Sequence, residues 1–175
     1  MSEALELPVT LDGPSTSERF GSVVRRWWAG LEERRGDRAE LRRARTPSAV
    51  AFLPAYHRLV LELRRAGIRV GEKDAEKAAA IAGVLAHVER DDPSRSFAKQ
   101  AASEHNGKAR LSGLRFRRLL AVDDLGELQT SLVRTIRLLD SAGSVSNLAE
   151  SIRWWNDRTK KQWALDYYET APNEA

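Results

Sequence analysis

The sequence contains no cysteine among its 175 residues. Disulfides, thiolate metal sites and cysteine nucleophiles are therefore excluded, and a reducing compartment is favoured. No stretch approaches the roughly 18 consecutive apolar residues that are needed to span a bilayer. The first residues also lack the basic start and apolar segment that mark a secretory signal. These absences together predict a cytoplasmic protein.

Residues that carry chemistry are equally scarce. The sequence has three histidines: His57, His87 and His105. Their scattered positions do not have the spacing of a metal site, which needs several convergent ligands. Neither a Walker A pattern nor GxGxxG is present, so no phosphate-cradling glycine loop is expected. We therefore expect no metal, no cofactor and no catalysis.

Two pairs of aspartates need a separate interpretation, because carboxylates can bind metal ions. Asp91 and Asp92 precede a proline, and Asp123 and Asp124 precede a strongly helical segment. These positions favour capping and complementation of the helix dipole over metal binding. A small metal-dependent nuclease acting through Asp123 and Asp124 remains as the enzymatic alternative.

Arginine is what the sequence has in excess, since 23 of its 29 basic residues are Arg. Residues 15–165 contain all 29 basic residues and 19 of the 25 acidic ones, which gives this region a net charge of +10. A planar guanidinium can donate two hydrogen bonds to one phosphate, so Arg is a better phosphate ligand than Lys. The composition therefore favours a nucleic-acid partner.

The apolar residues recur with the spacing of helices. Such stripes are clearest over 20–31, 56–63 and 125–139, and no alternating run is long enough to predict a strand. Gly143 is predicted to end the last of these helices. The sequence therefore predicts an all-α protein, made of two small helical bundles in one compact unit. The predicted parts are a flexible leader (1–16), an N-terminal bundle (17–92) and a C-terminal bundle (93–175).

The tryptophans could in principle stack on the bases of a single strand. Four of them, Trp27, Trp28, Trp155 and Trp163, lie on apolar helical stripes, and this position predicts packing in the core. Trp154 lies beside a stripe and is the least certain. Binding is therefore expected on the Arg-bearing faces of the helices and not on these rings.

The basic residues form local clusters. Arg42, Arg43 and Arg45 end a short helix, where ion pairs to nearby acids are the alternative to a ligand. The stretch 99–118 has a net charge of +5, with Glu104 as its single acid. It contains six basic residues: Lys99, Lys108, Arg110, Arg115, Arg117 and Arg118. Arg134 and Arg137 follow on the next helix, three residues apart and so on one face. Such unbalanced charge favours a phosphate-binding surface.

The order and spacing of several short segments resemble a known family. These segments are Arg26-Trp27-Trp28, residues 36–44 (GDRAELRRA), residues 114–120 (LRFRRLL), residues 124–139, residues 148–155 and residues 163–167 (WALDY). Over about residues 17–170 they look like the CasB family, the small subunit of the type I-E CRISPR complex called Cascade. The leader is not part of this pattern.

The resemblance implies a function without catalysis. Members of the family hold the crRNA–target duplex and the displaced DNA strand, and so stabilise the R-loop. They act with other Cascade subunits and as a head-to-tail pair with a second copy. The positions that match basic family positions are Arg42, Arg43, Arg115, Arg117 and Arg118. Charge alone adds Lys99, Arg110, Arg134 and Arg137. A helical adaptor that binds an acidic protein partner is the alternative function.

Overall fold

The computed structural model describes residues 14–172, and helices dominate this part of the chain. Its ten helices are α1 (Thr16–Gly30), α2 (Arg35–Arg43), α3 (Pro47–Val50), α4 (Pro54–Arg65), α5 (Glu72–Leu85), α6 (Phe97–Ala102), α7 (Gly113–Leu120), α8 (Leu125–Leu138), α9 (Val145–Arg153) and α10 (Asp157–Thr170). Its four strands have two residues each: β1 (Arg90–Asp91), β2 (Glu104–His105), β3 (Lys108–Ala109) and β4 (Ala142–Gly143). The predicted all-α class is confirmed. Most of the predicted leader lies outside the described residues.

Polar side chains begin several helices where the sequence predicted starts. Ser15 and Glu18 form a reciprocal capping box at α1, so that two backbone N–H groups at this end are satisfied. Asp124 accepts a hydrogen bond from the backbone N–H of Glu127 (2.9 Å) and caps α8. Asp123 contacts Lys160 of α10. The capping interpretation is therefore confirmed for Asp124, whereas Asp123 forms an ion pair with Lys160 instead of a cap.

The end of α8 differs from the sequence prediction. The helix stops at Leu138, five residues before Gly143. Asp140 and Ser141 then adopt left-handed backbone conformations, with φ of 54° and 61°. Asp tolerates this region better than most residues because its short side chain bonds locally, so a helix can end here without glycine. Gly143 lies instead in β4, where an added Cβ would meet Leu148 at 3.2 Å.

The strands are too short to produce an alternating pattern, which is why the sequence did not predict them. β1 pairs in parallel with β4, and this pairing brings the chain after α5 beside the chain after α8. β2 and β3 form an antiparallel hairpin around Asn106 and Gly107, whose φ angles are 54° and 78°. Asn-Gly is the preferred dipeptide for such a turn because both residues tolerate positive φ.

The centre of the core is α5, whose residues Ala78–Leu85 are all buried. It packs against α2, α3, α4, α8 and α9, while α1 packs against α4 and α9. Small side chains on α5 let these neighbours approach closely. Helices from the two predicted bundles therefore contact each other directly, and their buried apolar residues form one cluster. No helix within 14–172 is long and apolar enough to cross a membrane.

The tryptophans follow the sequence prediction. Trp27 and Trp163 are buried, and Trp28 and Trp155 are partly buried against the core. Trp28 donates its indole N–H to the carbonyl of Val88 (2.9 Å), and Trp155 donates to that of Val122 (2.7 Å). Trp154, which lies beside an apolar stripe and not on it, is 48% exposed. Core packing is confirmed for the four tryptophans on the stripes.

At Gly83, α5 packs closely against Gln129 of α8 and Val50 of α3, and this position offers a test of the packing. A Cβ at Gly83 would lie 2.6 Å from the amide nitrogen of Gln129 and 3.1 Å from Val50 Cγ2. Gln129 is buried and donates to the carbonyl of Ala44 (3.1 Å), so moving it breaks this bond. We expect Gly83→Ala to lower the free energy of unfolding by about 1–3 kcal/mol in thermal or urea denaturation.

The matched control is Gly36→Ala in α2, where an added Cβ meets nothing within 4 Å. This change should leave the free energy of unfolding equal or raise it by up to about 1 kcal/mol, since Ala favours helix more than Gly. Equal effects of the two substitutions would contradict the assignment of Gly83 as a close-packing site.

Candidate nucleic-acid interface

Helix α7 is positioned by its apolar face. Phe116 and Leu119 are buried, and the Phe116 ring stacks on Tyr167 of α10 with centroids 3.9 Å apart. Tyr167 also donates its hydroxyl to the carbonyl of Leu111, just before α7. Arg115 and Arg118 are three residues apart, so they project from the same side of the helix. The packing of Phe116 thereby sets the direction of both guanidinium groups.

A cleft of about 500 Å³ lies between α7 and α8, and we call it the arginine cleft. Its lining residues are Leu111, Arg115, Arg118, Leu119, Val122, Ser131, Arg134, Thr135 and Leu138. Three of the predicted site residues, from two separate clusters in the sequence, thus line one concave surface. No carboxylate is among the lining residues, so the cleft combines three positive charges with an apolar floor.

The three arginines of this cleft are exposed and available to a ligand. Among the ion pairs of residues 14–172, none involves Arg115, Arg118 or Arg134. An anion that binds them would therefore not have to displace a carboxylate. Their mutual repulsion is relieved when a polyanion is bound, because it neutralises like charges that are held close together.

Arg137 lies one turn beyond Arg134 on α8 and faces a second group of residues. Burial, followed by the positive charges of Arg137 and Arg42, lowers the pKa of His87 to about 4. Both arginines therefore lie near this half-buried ring.

Arg42 has a structural role. Its Nε donates to the carbonyl of Ala86 (2.8 Å) and its Nη2 donates to Glu89 (3.0 Å), so it spans the chain that follows α5. Carbonyls at the end of a helix have no partner within the helix, and cations are favoured there. Arg42 therefore caps α5 and is only partly free for a ligand.

The remaining predicted residues are not gathered in the arginine cleft. Arg110 lies at the end of α8, where it donates to Leu138 and pairs with Asp140 (3.0 Å). Arg117 projects from the other side of α7, near Gly113. Arg43 is exposed on α2, and Lys99 is half-buried on α6, which packs against α10. None of Arg43, Arg117 and Lys99 is among the residues that line the cleft.

Sequence reasoning missed two groups of arginines. Arg38 lies one turn before Arg42, and its pKa is lowered by burial and by the charge of Arg42. The i, i+4 spacing of these two residues is the signal that could have found it. Arg19, Arg26 and Arg65 line a groove between α1 and α4. Arg19 and Arg26 are seven residues apart on one helix, but their proximity to Arg65 depends on helix packing.

No metal site emerges among residues 14–172, since no group of three or more His, Asp and Glu side chains converges there. Asp91 accepts from the backbone of Val145 (3.0 Å) and pairs with Arg25 (2.7 Å). Asp92 accepts from the backbone of Ser94 (3.1 Å). Both carboxylates are therefore already used by the fold.

Comparison with known proteins decides the family. The model of CRISPR-associated protein Cse2 matches residues 37–168, which is well over half of the chain. The chain belongs to the Cse2 family. Cse2, also called CasB, is the small subunit of type I-E Cascade, so this chain is a structural subunit that acts with the other subunits of that complex. Comparisons with curated proteins and with solved structures give no match.

The match to Cse2 begins at Asp37 and ends at Tyr168, so it includes all of α5, α7 and α8. Every residue of the arginine cleft therefore lies within the part of this chain that matches the Cse2 family. The helix α1, which carries Arg19 and Arg26, lies before the match begins.

The structural role of Arg42 can be tested against its neighbour. Arg42→Ala removes two hydrogen bonds and leaves the end of α5 without its cap, so it should lower the free energy of unfolding by about 1–3 kcal/mol. Arg43→Ala removes an equal charge from an exposed side chain without an ion pair among the described residues. It should change stability by less than about 0.5 kcal/mol. Equal losses in urea denaturation would contradict this role.

The environment of His87 predicts a pH dependence of stability. In the unfolded chain its pKa is near the ordinary 6.5, and in the folded chain it is about 4. Between these values the unfolded chain binds more protons, so stability falls as the pH falls from 6.5 toward 4. His87→Gln should therefore weaken the dependence of Tm on pH over this range. His105→Gln, at an exposed site on the hairpin, is the control, and equal pH dependences in both variants would disprove the assignment.

Proposed function

We propose that this Cse2 chain binds the phosphate backbone of nucleic acid in the arginine cleft, without cleaving it. The observation that carries the proposal is the convergence of Arg115, Arg118 and Arg134 around one concave surface that has no lining carboxylate. Guanidinium groups match phosphate oxygens bidentately, which gives both charge and directed hydrogen bonds. The cleft thus has the chemistry that a polyanion requires.

The lining of the cleft supports binding that does not depend on sequence. It contains no Asn, Gln, Asp or Glu, the residue types that read adenine and cytosine edges. Arginine can also read guanine, and the proposal assigns the three arginines of the cleft to phosphates instead. Its floor of Leu119, Val122 and Leu138 can contact sugars without selecting a base. In RNA-guided recognition the base pairs read the sequence, and the protein provides positive charge along the backbone.

Within Cascade this surface is proposed to stabilise the R-loop by holding the crRNA–target duplex and the displaced DNA strand. Forming an R-loop exchanges one duplex for another of similar stability. A few phosphate contacts are therefore sufficient to shift the balance toward the open state. We further propose that Arg137 extends the surface along α8, and that a second copy of the chain continues it within the complex.

The test is the triple variant Arg115→Gln, Arg118→Gln and Arg134→Gln, measured for binding to a single-stranded DNA of fixed length. Loss of three phosphate contacts should lower affinity by about 10- to 100-fold at low salt. It should also reduce the slope of log K against log salt by about 2, since each contact on a single strand contributes about 0.7. Circular dichroism checks that the helices remain.

The matched control removes the same charge elsewhere, with Lys73→Gln, Arg158→Gln and Lys161→Gln. These three exposed residues do not line the arginine cleft and take part in none of the ion pairs of the described chain. If both triple variants lost affinity equally, binding would follow net charge alone and the cleft would not be the site. If neither variant lost affinity, the DNA would bind outside the arginine cleft. If the unsubstituted chain showed no salt-sensitive binding to single-stranded DNA, an acidic protein partner would replace nucleic acid as the ligand.

A further inference from the structure

One face of α4 is uncovered along the whole helix. Positions 54, 57, 61, 64 and 65 lie on the same side, opposite the buried Leu59 and Leu63, and all five residues are exposed. Phe52, in the turn before the helix, is 86% exposed, and Leu61 is 48% exposed. We call this surface the α4 face; its residues are Phe52, Pro54, His57, Leu61, Arg64 and Arg65. It is apolar at its N-terminal end and basic at its C-terminal end.

The exposure of Phe52 is imposed by an ordered turn. Its backbone N–H bonds to the carbonyl of Ala49 (3.4 Å), and that of Leu53 bonds to the carbonyl of Val50 (2.9 Å). Val50 is buried on one side of this turn. Pro54 restricts the backbone on the other side, because its ring fixes φ. The fold therefore holds a large aromatic ring in solvent, which is unfavourable unless another group covers it.

A groove of about 620 Å³ between α1 and α4 adjoins the basic end of this face. Arg19, Arg26 and Arg65 line it together with a single acid, Glu62, which lies 3.7 Å from Arg26. Arg19 and Arg65 have no carboxylate partner among residues 14–172. The groove therefore has an excess of positive charge at the same end of α4 as Arg64.

Pro14 lines the same groove, so the chain that precedes it is attached there. Residues 1–13 contain the acids Glu3, Glu6 and Asp12 and no Lys or Arg. The same segment has an apolar residue at every second position from 5 to 11: Leu5, Leu7, Val9 and Leu11. Its charge is thus opposite to that of the groove, and its apolar residues match the other end of the α4 face.

We propose that residues 1–13 dock on the α4 face of their own chain, with acids near Arg19, Arg26 and Arg65 and apolar side chains on Leu61 and Phe52. Thirteen residues can reach up to about 45 Å, whereas the 12 residues of α4 extend about 18 Å. Attachment at Pro14 also gives the segment a high effective concentration at this face, which an untethered partner lacks. The inference does not depend on the proposed binding of nucleic acid.

Because the chain has no cysteine, introduced cysteine pairs can test this docking directly. Leu7→Cys is combined with Leu61→Cys in the full chain, and disulfide formation under mild oxidation is followed on non-reducing gels. The matched pair combines Leu7→Cys with Trp154→Cys. Trp154 is also 48% exposed, and it lies near α1 because the Arg153 guanidinium is 4.9 Å from the Trp154 ring and 4.3 Å from the Phe20 ring of α1. Covalent attachment of residues 1–13 to the rest of the chain therefore does not by itself favour either disulfide.

We expect the intramolecular disulfide to Leu61→Cys to form about tenfold faster than that to Trp154→Cys, because docking raises the effective concentration. Adding Glu3→Lys, Glu6→Lys and Asp12→Lys should remove this difference. A Leu7→Cys and Phe52→Cys pair repeats the test if the Leu61 variant fails to fold. Equal rates for the two faces would overturn the proposal, and so would disulfides only between chains, since the occupant would then be another molecule.

Discussion

The close contact between α5 and α8 determines where the candidate site lies. Ala, Gly and other small side chains along α5 allow α8 to approach until Gly83 meets the amide of Gln129. This contact fixes the rotation of α8 about its own axis, because Gln129 must face inward. Leu132 and Ile136 then face the core, and Arg134 and Arg137 are left on the outside. The position of the positive charges is therefore a consequence of how small residues pack in the interior.

The basic residues divide into those that stabilise the fold and those that remain available. Arg42 and Arg110 bond backbone carbonyls and pair with acids, so much of their hydrogen-bonding capacity is used. Arg115, Arg118 and Arg134 have no such partners within residues 14–172. A net charge cannot distinguish these two classes. The arginines that surround the arginine cleft are the exposed and unpaired ones. Their availability is the physical reason for proposing that the cleft binds a ligand.

Local rules predicted the helices but not which side chains would meet. The spacing of apolar residues predicted the main helices and the burial of Trp27 and Trp163, because both depend on neighbours in sequence. Arg115 and Arg117 belong to one charge cluster, yet a rotation of about 200° around an ideal helix separates them on α7. Arg42 and Arg43 are adjacent and equally charged in the sequence. Only Arg42 stabilises the fold, because the end of α5 lies beside it. The convergence of α7 and α8 depends on tertiary packing, which single-sequence patterns do not contain.

The stacking of Phe116 on Tyr167 makes the width of the cleft depend on a distant helix. Because the two rings lie 3.9 Å apart and nearly parallel, α7 cannot tilt without moving α10. The adjacent Tyr168 is more than half exposed on the outer side of α10 and touches the edge of the same Phe116 ring. A neighbouring subunit that displaced Tyr168 would therefore also shift α7, the helix that carries Arg115 and Arg118. The outer surface of α10 and the arginine cleft are thus mechanically connected through three aromatic rings.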